Sequence, residues 1–543
     1  MPPHRRQPMA FDTLILNGTV IDGTGAPRFN ADVGITNGRI EAISALSHAE
    51  AARRIDATDH VVTPGFIDMH SHSDITLLDD PGGESKAHQG VTTEVTGNCS
   101  YTPWPAGEGG PEALQKNLGR TLIGSIKWEW HTLDDWAYAM ESNGISINVA
   151  PQLGHAGLQI ASGAVEDRPA TPDELREMKR LAAEAMEMGA FSLSTGLSVA
   201  PSAYGTTDDI VEICASIRHY EGAFYATHAR VGNGLHMSAI NEAIEIGQRA
   251  GIPVQFSHLA ITDRRVYGQG ETLTEPFEKA SEAGLDITYD MYPYTAAGAG
   301  YNQLVPLWAQ EGSIAEFMAR LQDPSTRTQI RDEVHAGLGG LSPQWETWYV
   351  AFIQSEENRD CVGKNVTEIA EERGVEPAEA VLQLLYEENG SVPTRVHNRV
   401  EEDVRYFMGH DLAMIGSDGR AVSPHGPYKN ALPHPRFYGT YPRILGRYVR
   451  EEPAVLTLEN AIYKMTGFPA QRLHMKDRGL VKEGLTADLV VFDPATVIDN
   501  STWEDPHQYP DGIPYVLVKG VPVVDEGVHT SARPGKVLRR GEA

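Results

Sequence analysis

Cysteine is scarce in this 543-residue chain, which has only Cys99, Cys214 and Cys361. They are widely spaced, odd in number and form no CxxC pair. That excludes a disulfide framework and fits a reducing compartment, so a cytoplasmic location is expected. Positive charge is also short: 45 Lys and Arg stand against 74 Asp and Glu, a formal net charge of −29. Such a field repels phosphate backbones and anionic lipid, so neither nucleic acid nor a membrane surface is an expected partner. Long apolar runs are missing as well, since no window approaches the roughly 20 residues that span a bilayer. The basic start MPPHRRQPMAF leads into no apolar stretch, so neither insertion nor export is expected. What remains is a chain of ordinary apolar content, long enough for one large domain plus a smaller one. Its expected partner is a small-molecule substrate, and whether it forms a homo-oligomer is left open.

Residues 12–62 carry short alternating strands, DTLILNGTVID, ADVGITNGRIEAI and HVV, with Asn-Gly turns that favour hairpins. The same texture returns in ADLVVFD and PYVLVKGVPVVDEG near the end. Two β-rich ends around a different middle predict one small β-sandwich domain shared by residues 1–62 and 476–543. Over 63–475 the strands GFIDMHSH, TTEVTGNC, INVAPQLGH, AFSLSTG, AFYATHA, PVQFSHL, DITYDMYPY and LAMIGSDG alternate with loops and amphipathic runs. One such run, TPDELREMKRLAAEAMEMG, opens on Thr171 as N-cap with Pro172 at the first helical position and stops at Gly189. Eight strands, each followed by a loop or helix, predict an α/β fold of the (β/α)8 barrel type. An irregular stretch at about 298–350, with several Trp and Pro, interrupts the alternation after strand seven. It is expected to be an inserted lid or substrate-facing subregion.

Barrels of this kind place their active sites at the C-terminal ends of the strands. Here most strands end in a metal-ligand residue type: His70 and His72 on the first, Cys99 on the second, His155 on the third, His228 on the fifth, His258 on the sixth and Asp418 on the eighth. His70 and His72 lie two apart on an extended chain, so their side chains leave the same face and can grip one ion. One buried histidine is more often a hydrogen-bonded core residue than a ligand, but several arriving independently at strand ends point to a metal site. Imidazole, thiolate and carboxylate donors suit zinc, whereas magnesium and calcium want oxygen. Zinc lowers the pKa of its bound water to about 7. Asp418 is then placed to take a proton from that water and return it to a leaving nitrogen. His155 fits orientation of a neighbour as well as substrate binding.

These segments resemble the amidohydrolase superfamily and, within it, the D-aminoacylase (N-acyl-D-amino-acid deacylase) family. The likeness runs from DTLILNGTVIDGTG through PGFIDMHSHSD, QGVTTEVTGNC, STGL, FSHL, YPYT, GSDG and PHPRFYGTYPRILGRYVRE to ADLVVFDP. It implies a metal-dependent hydrolase of C–N bonds other than peptide bonds, cleaving the amide of N-acyl-D-amino acids. It further implies one zinc held tightly by Cys99, His228 and His258, and a weaker second position formed by His70, His72, Asp418 and the bridging thiolate of Cys99. Most superfamily relatives with two metals bridge them through a carboxylated lysine on strand four. AFSLSTG has no lysine, which counts against a dihydroorotase-like or hydantoinase-like subtype. The pocket departs from the family: SHLA has Ala260 where the family usually has lysine, and Val199 stands beyond STGL where it usually has tyrosine. Arg436 in PHPR and Tyr292 in YPYT remain as substrate-binding candidates, with His155, Arg264 and Arg265 as further ones. The altered pocket keeps open a hydrolase of another acyl compound: a cyclic amide, carbamate or lactone. A catalytically silent scaffold is the third reading, and the six intact ligand-type residues argue against it.

Overall fold

The computed structural model describes residues 11–118, 126–230, 236–337 and 341–542; the basic start at residues 1–10 lies outside them. The centre is a ring of parallel strands: β1 (Phe66–Asp68), β2 (Val91–Thr96), β3 (Asn148–Pro151, resuming as Leu153–Gly154), β4 (Ser192–Gly196), β5 (Phe224–His228), β6 (Val254–Phe256), β7 (Ile287–Met291) and β8 (Ala413–Ile415). Nearly every residue in them is buried, as helices on the outside and side chains on the inside require of a parallel sheet. Each strand pairs with the next in chain order. The ring closes where Met69 N donates to Ile415 O at 3.3 Å and Asp418 N to His70 O at 2.7 Å. Gly416 permits that approach, since a Cβ there would stand 2.6 Å from His70 Cβ. The (β/α)8 barrel expected from the strand count is therefore present.

The outer helices follow their local signals. In the helix Pro172–Glu187 the Thr171 hydroxyl accepts from Glu174 N, and the Glu174 carboxylate accepts from Thr171 N at 2.7 Å, closing a capping box. Its apolar stripe, with Met178, Leu181, Ala182 and Met186, is buried against the barrel. Gly189, at φ +94°, then turns the chain towards β4.

Both ends of the chain build the flanking β-structure. A four-stranded sheet in the order Arg39–Ser44, Asp32–Thr36, Phe11–Leu16, Ala51–Asp56 faces a seven-stranded one. In the latter, Val61–Pro64 pairs antiparallel with Leu489–Phe492, so the two chain ends share one sheet. Ile15, Val33, Ile35, Val62, Leu489 and Val491 pack between the sheets as a separate core. Beyond His529 the chain leaves this unit. Val149 N in β3 donates to Lys536 O at 2.9 Å and Leu538 N to Val149 O at 2.7 Å, so the tail lies along the barrel rather than in the sandwich.

The interruption expected over about 298–350 is longer in the structure. A three-stranded sheet in the order Ala297–Gly300, Pro393–Val396, Trp348–Val350 returns the chain to the barrel only after Val396. The helices Val366–Arg373 and Pro377–Glu387 belong to it, and their apolar residues join Phe317, Leu321 and Ile330 in a second core. A regular helical pattern does not say which core it fills, which is why the sequence boundary falls short. Among the described residues no helix is long and apolar enough to cross a membrane.

Candidate metal centre and its cavity

Six side chains from five strand ends converge at the mouth of the barrel. Cys99 sits in the short turn Asn98–Ser100 after β2 with φ +54°. The turn is clamped from both sides: Gln152 Nε2 donates to Asn98 Oδ1 at 2.8 Å, and Ser100 N donates to Ser194 Oγ at 2.9 Å. Cys99 Sγ lies 3.3 Å from His70 Nε2, 3.6 Å from His228 Nδ1 and 3.5 Å from His258 Nε2. The nitrogens of His228 and His258 are themselves 3.0 Å apart. On the other side, Asp418 Oδ1 stands 3.0 Å from His72 Nε2 and 3.7 Å from His70 Nε2. The donor atoms of His70, Cys99 and His258, and those of His70, His72 and Asp418, each fall within 4.8 Å of one another. His70 thus joins two overlapping three-residue groups.

The electrostatics favour a cation there. Burial pushes His72 and His228 down to about 4 and His258 well below its ordinary value, so these rings are neutral near pH 7 and offer lone pairs. His70 is the exception: burial opposes its charge, but Asp290 and Cys99 raise it. Burial raises the Cys99 thiol, so a thiolate at this position needs a positive partner. Burial would also raise Asp418, yet the Arg436 guanidinium and the His72 hydrogen bond hold its carboxyl well below the usual range. Close-packed imidazole nitrogens, one sulfur and one ionised carboxylate are the donor set of a zinc site, and the residues present fit that ion.

Two supports escaped the sequence analysis. Asp290 in β7 accepts from His258 N at 2.8 Å through Oδ1, which also lies 3.2 Å from His70 Nδ1; Gln255 Nε2 donates to its Oδ2 at 3.0 Å. By engaging Nδ1, it leaves His70 Nε2 facing the cluster, the arrangement that orients metal-binding imidazoles. Below lies a fully buried ionic group. Lys86 Nζ donates to Asp68 Oδ2 and to Ser417 Oγ, both at 2.6 Å, and stands 3.1 Å from Glu94 Oε1. Asp68 in turn accepts from Ser417 N at 2.7 Å and so fixes the backbone that carries Asp418. Charged residues inside short apolar strands are the signal that could have exposed Asp68, Glu94 and Asp290.

The cluster forms the floor of a cavity of ≈ 500 Å³. Tyr292, Arg399, Arg436, Ala260 and Val199 line it above the floor, and Arg264 stands at its exposed rim. Arg436 Nη1 lies 2.9 Å from Asp418 Oδ2, and its Cζ is 4.5 Å from the centre of the Tyr292 ring. Two expectations need correction. His155 opens the helix His155–Ser162 with Nδ1 2.9 Å from Ser202 Oγ, outside the cavity lining. Burial pushes it down to about 3, and through Ser202, which accepts from Gly196 N at 3.0 Å, it braces the end of β4. Arg265 is exposed, is tied to Asp263 at 2.6 Å and is not among the residues that line the cavity, so it is a loop charge.

Comparison with known proteins shows the family. The amidohydrolase family profile matches residues 53–339 and 352–524. D-aminoacylase of Alcaligenes xylosoxydans xylosoxydans is 36% identical over 98% of both chains. The crystal structure of N-acyl-D-glutamate deacylase from Bordetella bronchiseptica, complexed with zinc and a phosphonate mimic of the tetrahedral intermediate, superposes with a TM-score of 0.82 at 30% identity. That match covers 98% of this chain and 100% of the other. A D-aminoacylase structure described for its binuclear metal centre gives the same TM-score, 0.82, at 33% identity, with 98% and 100% covered. With a family match over most of its length and full-length relatives above 30% identity, the chain belongs to the amidohydrolase family, in its D-aminoacylase branch.

Proposed function

We propose that this protein is a zinc-dependent hydrolase that cleaves the amide bond of N-acyl-D-amino acids. Cys99, His228 and His258 would hold one zinc tightly, and His70, His72, Asp418 and the Cys99 thiolate a weaker second position. The single observation that carries the reading is the placement of an ionised Asp418 between a cation, Arg436, and the clustered imidazoles at the floor of a cavity. Relatives named D-aminoacylase and N-acyl-D-glutamate deacylase, one of them solved with zinc, support the substrate class and the ion.

When bound, zinc supplies Lewis acidity, polarising the acyl carbonyl and making water acidic enough to attack near neutral pH. Asp418 is the base. Arg436 engages Oδ2, so Oδ1, 3.0 Å from His72 Nε2, faces the cluster and takes the proton. The same carboxyl then returns it to the leaving nitrogen. Asp290 keeps His70 and the His258 backbone in place, and Tyr292 and Arg436 line the space above them. The buried, unpaired cysteines support a reducing compartment such as the cytoplasm.

Ala260 and Val199 both line the cavity, and their apolar side chains favour a second reading, an acyl substrate with no carboxylate. Zinc analysis and a hydrolysis panel of N-acetyl-D-amino acids, N-acetyl-L-amino acids, neutral amides and lactones separate the two. The expected outcome is at least one zinc per chain and a higher kcat/KM for the D-acids. Preference for neutral amides or lactones would establish the second reading. Zinc below about half an equivalent, with no turnover after zinc is added, would remove both in favour of a silent scaffold.

A further inference from the structure

An N-acyl amino acid carries its carboxylate on the same carbon as the leaving nitrogen, so a cation that recognises it must stand close to the reacting cluster. The walls offer few. Positions 199 and 260 present only Val and Ala, Arg264 stands exposed at the rim, the Arg436 charge is matched by Asp418 at 2.9 Å, and Arg420 has Asp418 and Asp74 as charge partners. Arg399 differs from Arg436, whose Nε is likewise buried without a hydrogen-bond partner, in making no ion pair among the described residues. It lines the cavity, its Cζ lies 4.5 Å from the centre of the Tyr292 ring, and its Nε is buried with no hydrogen-bond partner. Its backbone N donates to Thr295 O at 3.2 Å, which ties it to the loop that carries Tyr292. Tyr292 is thus flanked by two guanidinium groups, Arg399 and Arg436, each 4.5 Å from its ring.

We propose that Arg399 receives the carboxylate of the substrate and sets the preference for acids, an inference that rests on the deacylase reading above. Two points support it. A guanidinium with a buried, unpartnered N–H is costly in the free protein and is compensated by an anion that completes its hydrogen bonds. Second, the return strand Pro393–Val396 of the inserted region delivers Arg399 to the cavity, so the charge missing from the wall at Ala260 comes from a different element. The π-face of Tyr292 holds the guanidinium in place without neutralising it.

The test compares an N-acetyl-D-amino acid with its primary carboxamide, both containing the same scissile bond, on zinc-loaded parent and Arg399→Met enzymes. The ratio of kcat/KM for acid over carboxamide is expected to fall about ten- to hundredfold, chiefly through KM. Arg399→Lys should recover part of the ratio, which a merely structural role would not do. An unchanged ratio, or an equal loss on both substrates, overturns the assignment while leaving the deacylase reading intact. If the parent turns over neither compound, the deacylase reading falls. Calorimetric binding of the acid to parent and Arg399→Met then decides alone: at least tenfold weaker binding supports the role of Arg399, and equal binding overturns it.

Discussion

The floor of the cavity and its wall reach the same space by different means. On the floor, Cys99, His258 and Asp418 have φ values of +54°, +37° and +51°, a region that non-glycine residues avoid. Such conformations cost about 1–3 kcal/mol each and persist only where the surroundings over-determine them. Here the surroundings are the barrel itself, through Gln152, Ser194, Asp290, Asp68 and the His70 carbonyl. The wall is built from the loops after β4, β6 and β7 and from the inserted region with the segment that follows it, so that Val199, Ala260, Tyr292, Trp348 and Arg399 are carried outside the ring. Chemistry is therefore held by the part of the fold that cannot vary without opening the barrel, and selectivity by parts that can.

That contrast can be broken at the floor with the largest effects. Asp418→Asn should lower kcat by about 10²- to 10⁴-fold while the tightly held zinc is retained, measured by metal analysis beside steady-state kinetics. Normal turnover in that variant would remove Asp418 as the base. Lys86→Met would leave Asp68 and Glu94 buried without their cation, a loss of about 3–5 kcal/mol that calorimetry would register as a lower Tm. An unchanged Tm would mean that the floor is not braced from below. Arg436→Met sits between floor and wall and is read in the pH profile. The guanidinium favours the ionised form of Asp418, so its removal raises that pKa, and the acidic limb of kcat/KM should move to higher pH. A limb that stays in place would detach Arg436 from the base. On the wall the effect is smallest. Ala260→Lys should raise the acid-over-carboxamide ratio by up to roughly tenfold, and no change would show that this position does not face the carboxylate.

The same division explains what the sequence revealed. His70, His72, Cys99, His228, His258 and Asp418 were legible because a barrel aligns its strand ends, so position along each strand already implied position in space. The strand count and the pairing of N- and C-terminal segments were legible for a similar reason: short, regular β-patterns with turn residues at fixed places. Asp290, Lys86 and Glu94 were not, because the worth of a buried charge depends on partners that no local pattern reveals. His155 ended a strand like the true members of the cluster, but the chain breaks at Gln152 and turns it towards Ser202. Arg264 and Arg265 were adjacent cations in one loop, and only tertiary packing decides that the first borders the cavity while the second is held by Asp263. Arg399 lay hidden behind the underestimated length of the inserted region, whose return strand alone shows where it arrives.

The sharing of one sheet by Val61–Pro64 and Leu489–Phe492, and the course of Lys536–Leu538 along β3, also constrain when the molecule can be completed. During synthesis the early strands emerge long before their partners, and the edge of β3 stays uncovered until the tail has been made. Neither the sandwich nor that seam can assemble on a ribosome-bound chain that has exposed only the barrel. Such non-local pairings are slow to form because the intervening chain must first be closed into a loop. The barrel therefore waits for residues 536–538 before its outer surface is sealed.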